Sequence, residues 1–204
     1  TMTCLPQLAR RQGFIVKAAE AETAPYLELP SSYEDFMLFL SRKDRHELRR
    51  KLRKMSGLEE VKVKQLKDLE SLKTWLPNFI ELHRASGSFK EAFWSQPGMV
   101  DFFEEIAKRF SPQAWIELSL LLQREKIMAA LLSFVYQDKI YFYNTAYNRH
   151  YAFYSPGLFL FNYRLQQAIA ERKRKADFLR GKERYKYYFG TKECRIYNLT
   201  LLLE

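Results

Sequence analysis

The chain has 204 residues, 47% hydrophobic and 16% aromatic, which excludes a disordered polymer and suffices for one large domain, or one domain with an appendage. Its longest stretch free of charge and histidine, Tyr151 to Tyr163, is broken by Pro156 and Gly157. A bilayer span needs about 20 apolar residues, so no transmembrane helix is expected. Thirty-four Lys and Arg against 24 Asp and Glu give a net charge of +10, concentrated in residues 42–54 and 171–195. Such clustering points to an anionic partner: a phosphate-rich donor, a nucleic acid or a charged membrane face. Cys4 and Cys194 lie far apart without a CxxC pair, and the three histidines are dispersed. Neither a disulfide framework nor a metal site is expected, and with no basic head and apolar run at the start the chain reads as cytoplasmic.

In chain order, Phe14 to Val16 is a short strand candidate and Ala18 to Pro30 a polar, extended connector. Ser31 or Ser32 caps a helix with Glu34 and Asp35 in its first turn. The helical spacing continues through Phe36, Leu40, Leu48 and Leu52 to a stop at Gly57, giving a single basic helix over 32–56. Residues 1–57 are expected to form an appendage, the tail of a preceding domain, and residues 58–204 the main domain. There, Val61 to Lys64 alternates like a strand, and two helices follow, around Leu69 to His83 and Met99 to Phe110, with Pro97 in the first turn of the second. The period then switches to two. Ile116 to Leu122, Ile127 to Tyr136 and Ile140 to Tyr147 form an antiparallel meander with short turns. After the Ser155-Pro156-Gly157 break come a long helix from Leu158 to Lys173, a buried strand Ala176 to Leu179, a short helix from Glu183 to Phe189, and a last strand Arg195 to Leu203.

This order predicts an α/β (α+β) fold in which the long helix crosses over from the meander to a parallel strand. A sheet splays where its strand direction changes, and open α/β sheets bind ligands there. The helix beginning at Leu158 points its free amides into that crevice, a ready anion site.

Five segments carry a family likeness: Lys126-Ile127-Met128-Ala129-Ala130-Leu131; Tyr141-Phe142-Tyr143-Asn144-Thr145-Ala146-Tyr147; Ser155-Pro156-Gly157; Asp177-Phe178-Leu179-Arg180-Gly181 followed by Tyr185-Lys186; and the basic helix Arg42 to Lys54. Together, over residues 30–190, the chain resembles the GNAT superfamily of acyltransferases, and within it the FemAB-like branch that includes CelD-type proteins. The resemblance implies transfer of an acyl group from acetyl- or another acyl-coenzyme A to an amine, with an amino sugar or a cell-envelope or exopolysaccharide precursor as acceptor. Many acetyltransferases of the superfamily carry a Gln/Arg-x-x-Gly-x-Gly/Ala loop before the long helix. Here Asn148 to Gly157 holds one glycine. Some FemAB-like members take an aminoacyl group from charged tRNA, so a Fem-type, aminoacyl-tRNA-dependent transferase stays open beside the coenzyme A reading.

The resemblance places the donor against Tyr143, Asn144, Ser155, Gly157 and Leu158, and the acceptor against Tyr147, Asp177 and Arg180, the last two as an orienting ion pair. Acyl transfer needs a neutral amine, a place for the oxyanion and a proton for the leaving group. Lys186 is expected to face the carbonyl or a donor phosphate, Tyr185 or Tyr188 to protonate the leaving thiolate, and His150 to act as base. His46 and His83 are expected to be packed or solvated, and Ser155 lacks a nucleophile elbow. The competing class is a non-catalytic nucleic-acid or interaction module, with the aromatic and basic run Arg184 to Tyr188 stacking on single strands.

Overall fold

A computed structural model of the chain describes residues 4–203; Thr1 to Thr3 and Glu204, which the two expected domain ranges include, lie outside the described residues. The elements are α1 (Cys4–Arg11), β1 (Phe14–Glu28), α2 (Tyr33–Phe39), α3 (Arg42–Met55), β2 (Val61–Leu66), α4 (Leu69–Arg84), α5 (Ser88–Trp94), α6 (Met99–Phe110), β3 (Ile116–Gln123), β4 (Lys126–Tyr136), β5 (Lys139–Tyr147), α7 (Pro156–Ala170), β6 (Lys175–Asp177), α8 (Arg184–Tyr187) and β7 (Lys192–Leu203). They build one seven-stranded sheet in the order β2-β3-β4-β5-β6-β1-β7. Among the described residues only β5 and β6 run parallel, joined by the α7 crossover. The expected mixed sheet is therefore present.

Helices cover both faces. On one, α2, α3 and α7 bury Phe36, Leu48, Leu160 and Leu165 against Leu121, Leu131 and Phe142 of the sheet. On the other, α4, α5 and α6 bury Leu72, Phe79, Trp94 and Phe103 against Leu118, Leu120, Leu132 and Ala146. Burial on both sides explains why β3 reads as a nearly continuous apolar run, with Leu120, Leu121 and Leu122 all inaccessible.

Several elements differ from the sequence reading. The expected helix over 32–56 is two helices. Leu40 is extended (φ −67°, ψ 142°), and Ser41 restarts the chain by accepting from the Asp44 amide and donating to its carboxylate. That Ser-x-x-Asp cap outweighs the unbroken apolar spacing. The connector Ala18 to Pro30 is mostly strand. β1 pairs with β7 from Phe14 to Tyr26 and with β6 from Tyr26 to Glu28, so the segment expected as an appendage shares the sheet, and its helices share the core around Leu48. The strand expected over 176–179 stops at Asp177, because the Asp177 carboxylate accepts from the Leu179 amide and Leu179 takes φ 56°. α5 had no counterpart in the sequence reading, and Pro97 precedes α6, which starts at Met99 behind Gly98.

Candidate active site

The cleft follows from where the backbone hydrogen bonds go. β5 and β6 pair only over Lys139–Tyr141 and Lys175–Asp177. Beyond them the chain turns to β1 instead: Phe178 donates to the Pro25 carbonyl and Gly181 to the Thr23 carbonyl, both at 2.9 Å. The upper half of β5 thus keeps β4 on one edge and open space on the other. Its pairing with β4 also skips a residue, passing from Leu132–Asn144 to Ser133–Phe142, so Tyr143 is a bulge.

A cavity of about 380 Å³ fills the splay, bounded by Thr145 and Tyr147 of β5, the start of α7 from Ser155 to Leu158 with Phe161, and Tyr185 and Tyr188, with Lys51 and Lys90 as its cations. Ser155 sits in the left-handed region (φ 52°, ψ 50°), and its side chain caps nothing. Pro156 has no amide hydrogen, and the Phe159 amide is taken by the Ser155 carbonyl at 3.1 Å. That leaves the Gly157 and Leu158 amides without an acceptor among the described residues, facing the cavity at the positive end of a 15-residue helix. Gly157 keeps the approach clear: a Cβ built there would meet only Thr145 Oγ1, at 3.9 Å.

Lys90 comes from α5 and donates from Nζ to the Thr145 carbonyl at 2.8 Å. Burial pulls its ammonium below the usual lysine range, partly offset by Glu183. The Tyr185 ring stacks on Phe161 at 5.1 Å. Burial, with the charge of Glu183 in support, pushes its phenol well above the tyrosine range, so it stays protonated. Lys51 lies over the Tyr188 ring at 5.4 Å and 3.7 Å from Glu47.

Of the residues expected from sequence, Tyr147, Ser155, Gly157, Leu158, Tyr185 and Tyr188 line the cavity together. The others do not. Lys186 is buried, and its ammonium donates to the carbonyls of Leu179, Arg180 and Gly181 at 3.3, 2.7 and 3.3 Å and pairs with Glu183 at 2.9 Å. It ties down the loop that follows β6 and does not line the cavity, a correction to its expected role. Asp177 and Arg180 form no pair: Asp177 holds the Leu179 amide and Lys175, and exposed Arg180 reaches Glu22 at 3.6 Å. Tyr143 packs on Phe103 and Phe134 of the opposite core, and Asn144 is paired beside Leu132 of that same core, so the bulge turns both from the cavity. His150 is exposed on the 3₁₀ turn Arg149–Tyr154 and is not among the lining residues. Sequence reasoning missed Lys51 and Lys90. For Lys51 the signal was available, since it follows the buried Leu48 by three positions on the expected basic helix; Lys90 sits on a helix that was not foreseen.

The family model for the acetyltransferase (GNAT) domain matches residues 42–187. Among solved structures, the chain is similar to FemX (13% identity, TM-score 0.65, covering 92% of this chain and 65% of that one). It is also similar to the C-terminal domain of a putative lysylphosphatidylglycerol synthetase from Agrobacterium fabrum (12%, 0.62, 97% and 64%) and to L-PGS from Bacillus licheniformis (10%, 0.58, 95% and 63%). At these identities the likeness shows the fold, and the chain spans 63–65% of the length of those structures. No curated protein matches the chain.

Proposed function

As the chain belongs to the acetyltransferase (GNAT) domain family, we propose that the cleft between β5 and β6 transfers an acyl group from acyl-coenzyme A to the amine of an amino sugar or cell-envelope precursor. The observation that carries this reading is the pair of free amides at Gly157 and Leu158, set in one cavity with Lys90 and Tyr185. The amides and the helix dipole attract the donor's pyrophosphate. Thr145 and Tyr147, on the unpaired edge of β5, offer a rail along which the donor lies in place of the missing strand. The attacking amine must first lose its proton. Lys90, with its lowered pKa and one hydrogen bond to Thr145, is the base that receives it. The amine nitrogen then bonds to the acyl carbon, the carbon–sulfur bond breaks, and Tyr185 passes its proton to the thiolate as it takes up the second proton that the nitrogen sheds, so the phenol ends protonated as it began.

A second reading is favoured by the chain before α7, which is wound into the 3₁₀ turn Arg149–Tyr154 with a single glycine after it. It offers fewer backbone amides to a pyrophosphate than a glycine-rich loop, which supports an aminoacyl group from charged tRNA as donor. Isothermal calorimetry separates the two. Binding of acetyl-coenzyme A to the wild type, weakened at least 10-fold by Gly157→Val, supports the first. Binding of charged tRNA without coenzyme A supports the second, and binding of neither removes both.

A further inference from the structure

A strongly basic groove adjoins the cleft. The first two turns of α3 present Arg42, Lys43, Arg45 and Arg49, with Asp44, His46 and Glu47 among them, to a groove of about 1030 Å³ whose far wall is Arg184 and Tyr188. The two acids on that helix are engaged within it: Asp44 with Ser41, and Glu47 with Arg50 at 2.8 Å and Lys51 at 3.7 Å. Among the described residues, none of those five cations has a carboxylate within ion-pair distance. Leu48 and Met55 bury the helix's other face, so its orientation is fixed by the core. The basic side chains are therefore held as a row, at the cost of mutual repulsion that a bound anion would relieve. Tyr188 walls both this groove and the cleft, with Arg184 over its ring at 5.9 Å and Lys51 at 5.4 Å. Lys51 itself lines the cleft. A line of cations thus runs from Arg42 past Tyr188 to Lys90.

We infer that this groove binds a phosphate chain belonging to the same donor whose reacting end enters the cleft, so that the donor carries phosphate at two separated places. This rests on the acyl-transfer reading of the cleft. The α7 amides hold the anion nearest the reacting carbon, and Arg42, Arg49 and Arg184 hold a more distant one. The shared chemistry is a phosphate ester or phosphodiester, from a free nucleotide-type donor or from the end of a nucleic-acid strand. A concave groove bounded by an aromatic ring suits a narrow chain better than a flat membrane surface.

The test compares the wild type with Arg42→Ala/Arg49→Ala and with Arg184→Ala, and uses Lys108→Ala/Arg109→Ala on the far helix α6 as the charge-matched control. All these side chains are exposed and outside the core, and Lys108 and Arg109 pair only with exposed Glu105, so melting curves should stay unchanged. The probes are coenzyme A, a fluorescent 12-nucleotide single-stranded RNA, and vesicles of phosphatidylglycerol with phosphatidylcholine, each titrated between 50 and 200 mM salt. The groove variants should bind one of the two phosphate probes at least 10-fold more weakly, and the double variant should lower the salt slope by about 1.5, since each phosphate contact contributes about 0.7–0.9. The control should match the wild type. Loss with coenzyme A assigns a nucleotide-type donor; loss with RNA alone assigns a nucleic-acid strand. Equal binding by groove variants and wild type, or a loss confined to the vesicles, overturns the inference. Because binding is read without turnover, a chain that binds through the groove yet transfers no acyl group would overturn the catalytic reading alone.

Discussion

Arg164 in the middle of α7 and Glu117 on β3 are both fully buried and form a two-point ion pair, the Nη2–Oε2 bond measuring 3.1 Å. The same guanidinium reaches Glu171 at 3.1 Å, and Lys67 approaches Glu117 at 3.7 Å. This network pins the crossover helix to the sheet and so fixes where the amides of Gly157 and Leu158 point. Arg164→Met should cost about 3–5 kcal/mol in urea unfolding, because it strands a buried carboxylate. Adding Glu117→Leu should return most of that loss. A double variant no more stable than the single would show that the loss does not come from the stranded carboxylate.

Lys186 provides the second prediction. Lys186→Met keeps the stem but leaves three carbonyls of the Leu179–Gly181 loop without their donor. Unfolding should become easier by at least about 1–3 kcal/mol, the cost of one buried unpaired acceptor. Turnover should fall only as far as the loop loosens, and saturating donor should recover part of it. An unchanged urea midpoint with turnover lost a hundredfold would instead put the ammonium on the substrate.

The sheet, its meander and the crossover were legible because period-two and helical spacing are written in the apolar residues themselves, as in Ile116 to Leu122 and Leu158 to Ile169. The start of α7 was legible to within two residues: the helix expected from Leu158 begins at Pro156, inside the turn read as a break. Less of the site could be read. Whether Tyr143 or Tyr147 faces the donor depends on one bulge residue, and a bulge reverses the alternation without changing composition. Lys186 was misplaced because a lysine on a short polar helix looks solvated. Only the left-handed turn at Leu179 and the loop at Gly181 bring three carbonyls around it. β1 was underestimated because its partner β7 lies at the other end of the chain, and because most of its residues are exposed it carries no sustained period-two alternation.

His83 makes the fold sensitive to acid. It is buried, its Nδ1 accepts from the Trp94 indole at 2.8 Å, and burial, reinforced by nearby Lys90, drives its imidazole down to about 3. The unfolded chain takes up a proton near the ordinary histidine value of about 6.5 while the folded one does not. Between those limits the unfolded state binds more protons, so stability falls as pH drops through 6.5 towards 3, by up to about 1.4 kcal/mol per pH unit. His83→Asn keeps an acceptor for Trp94 and cannot titrate. Its urea midpoint should fall less steeply over that window than that of the wild type; parallel curves would mean that the acid sensitivity originates elsewhere.

Lys90 separates the catalytic roles open to a cation in the cleft. If it acts as the base, the neutral amine is the working form, and turnover should rise with pH through a value below the ordinary lysine pKa, as its burial requires. Lys90→Arg retains a positive charge and a donor for the Thr145 carbonyl but cannot release its proton at accessible pH. Melting should change little, because that hydrogen bond is kept. Turnover of Lys90→Arg should nevertheless drop about 10²–10⁴-fold, the range for loss of a general base, with KM for the donor nearly unchanged. Because deprotonation of the amine acceptor itself limits the rate at low pH, the loss in Lys90→Arg should shrink as the pH is raised. If Lys90→Arg turns over like the wild type, the side chain serves as a fixed charge and the acceptor must enter the site already neutral.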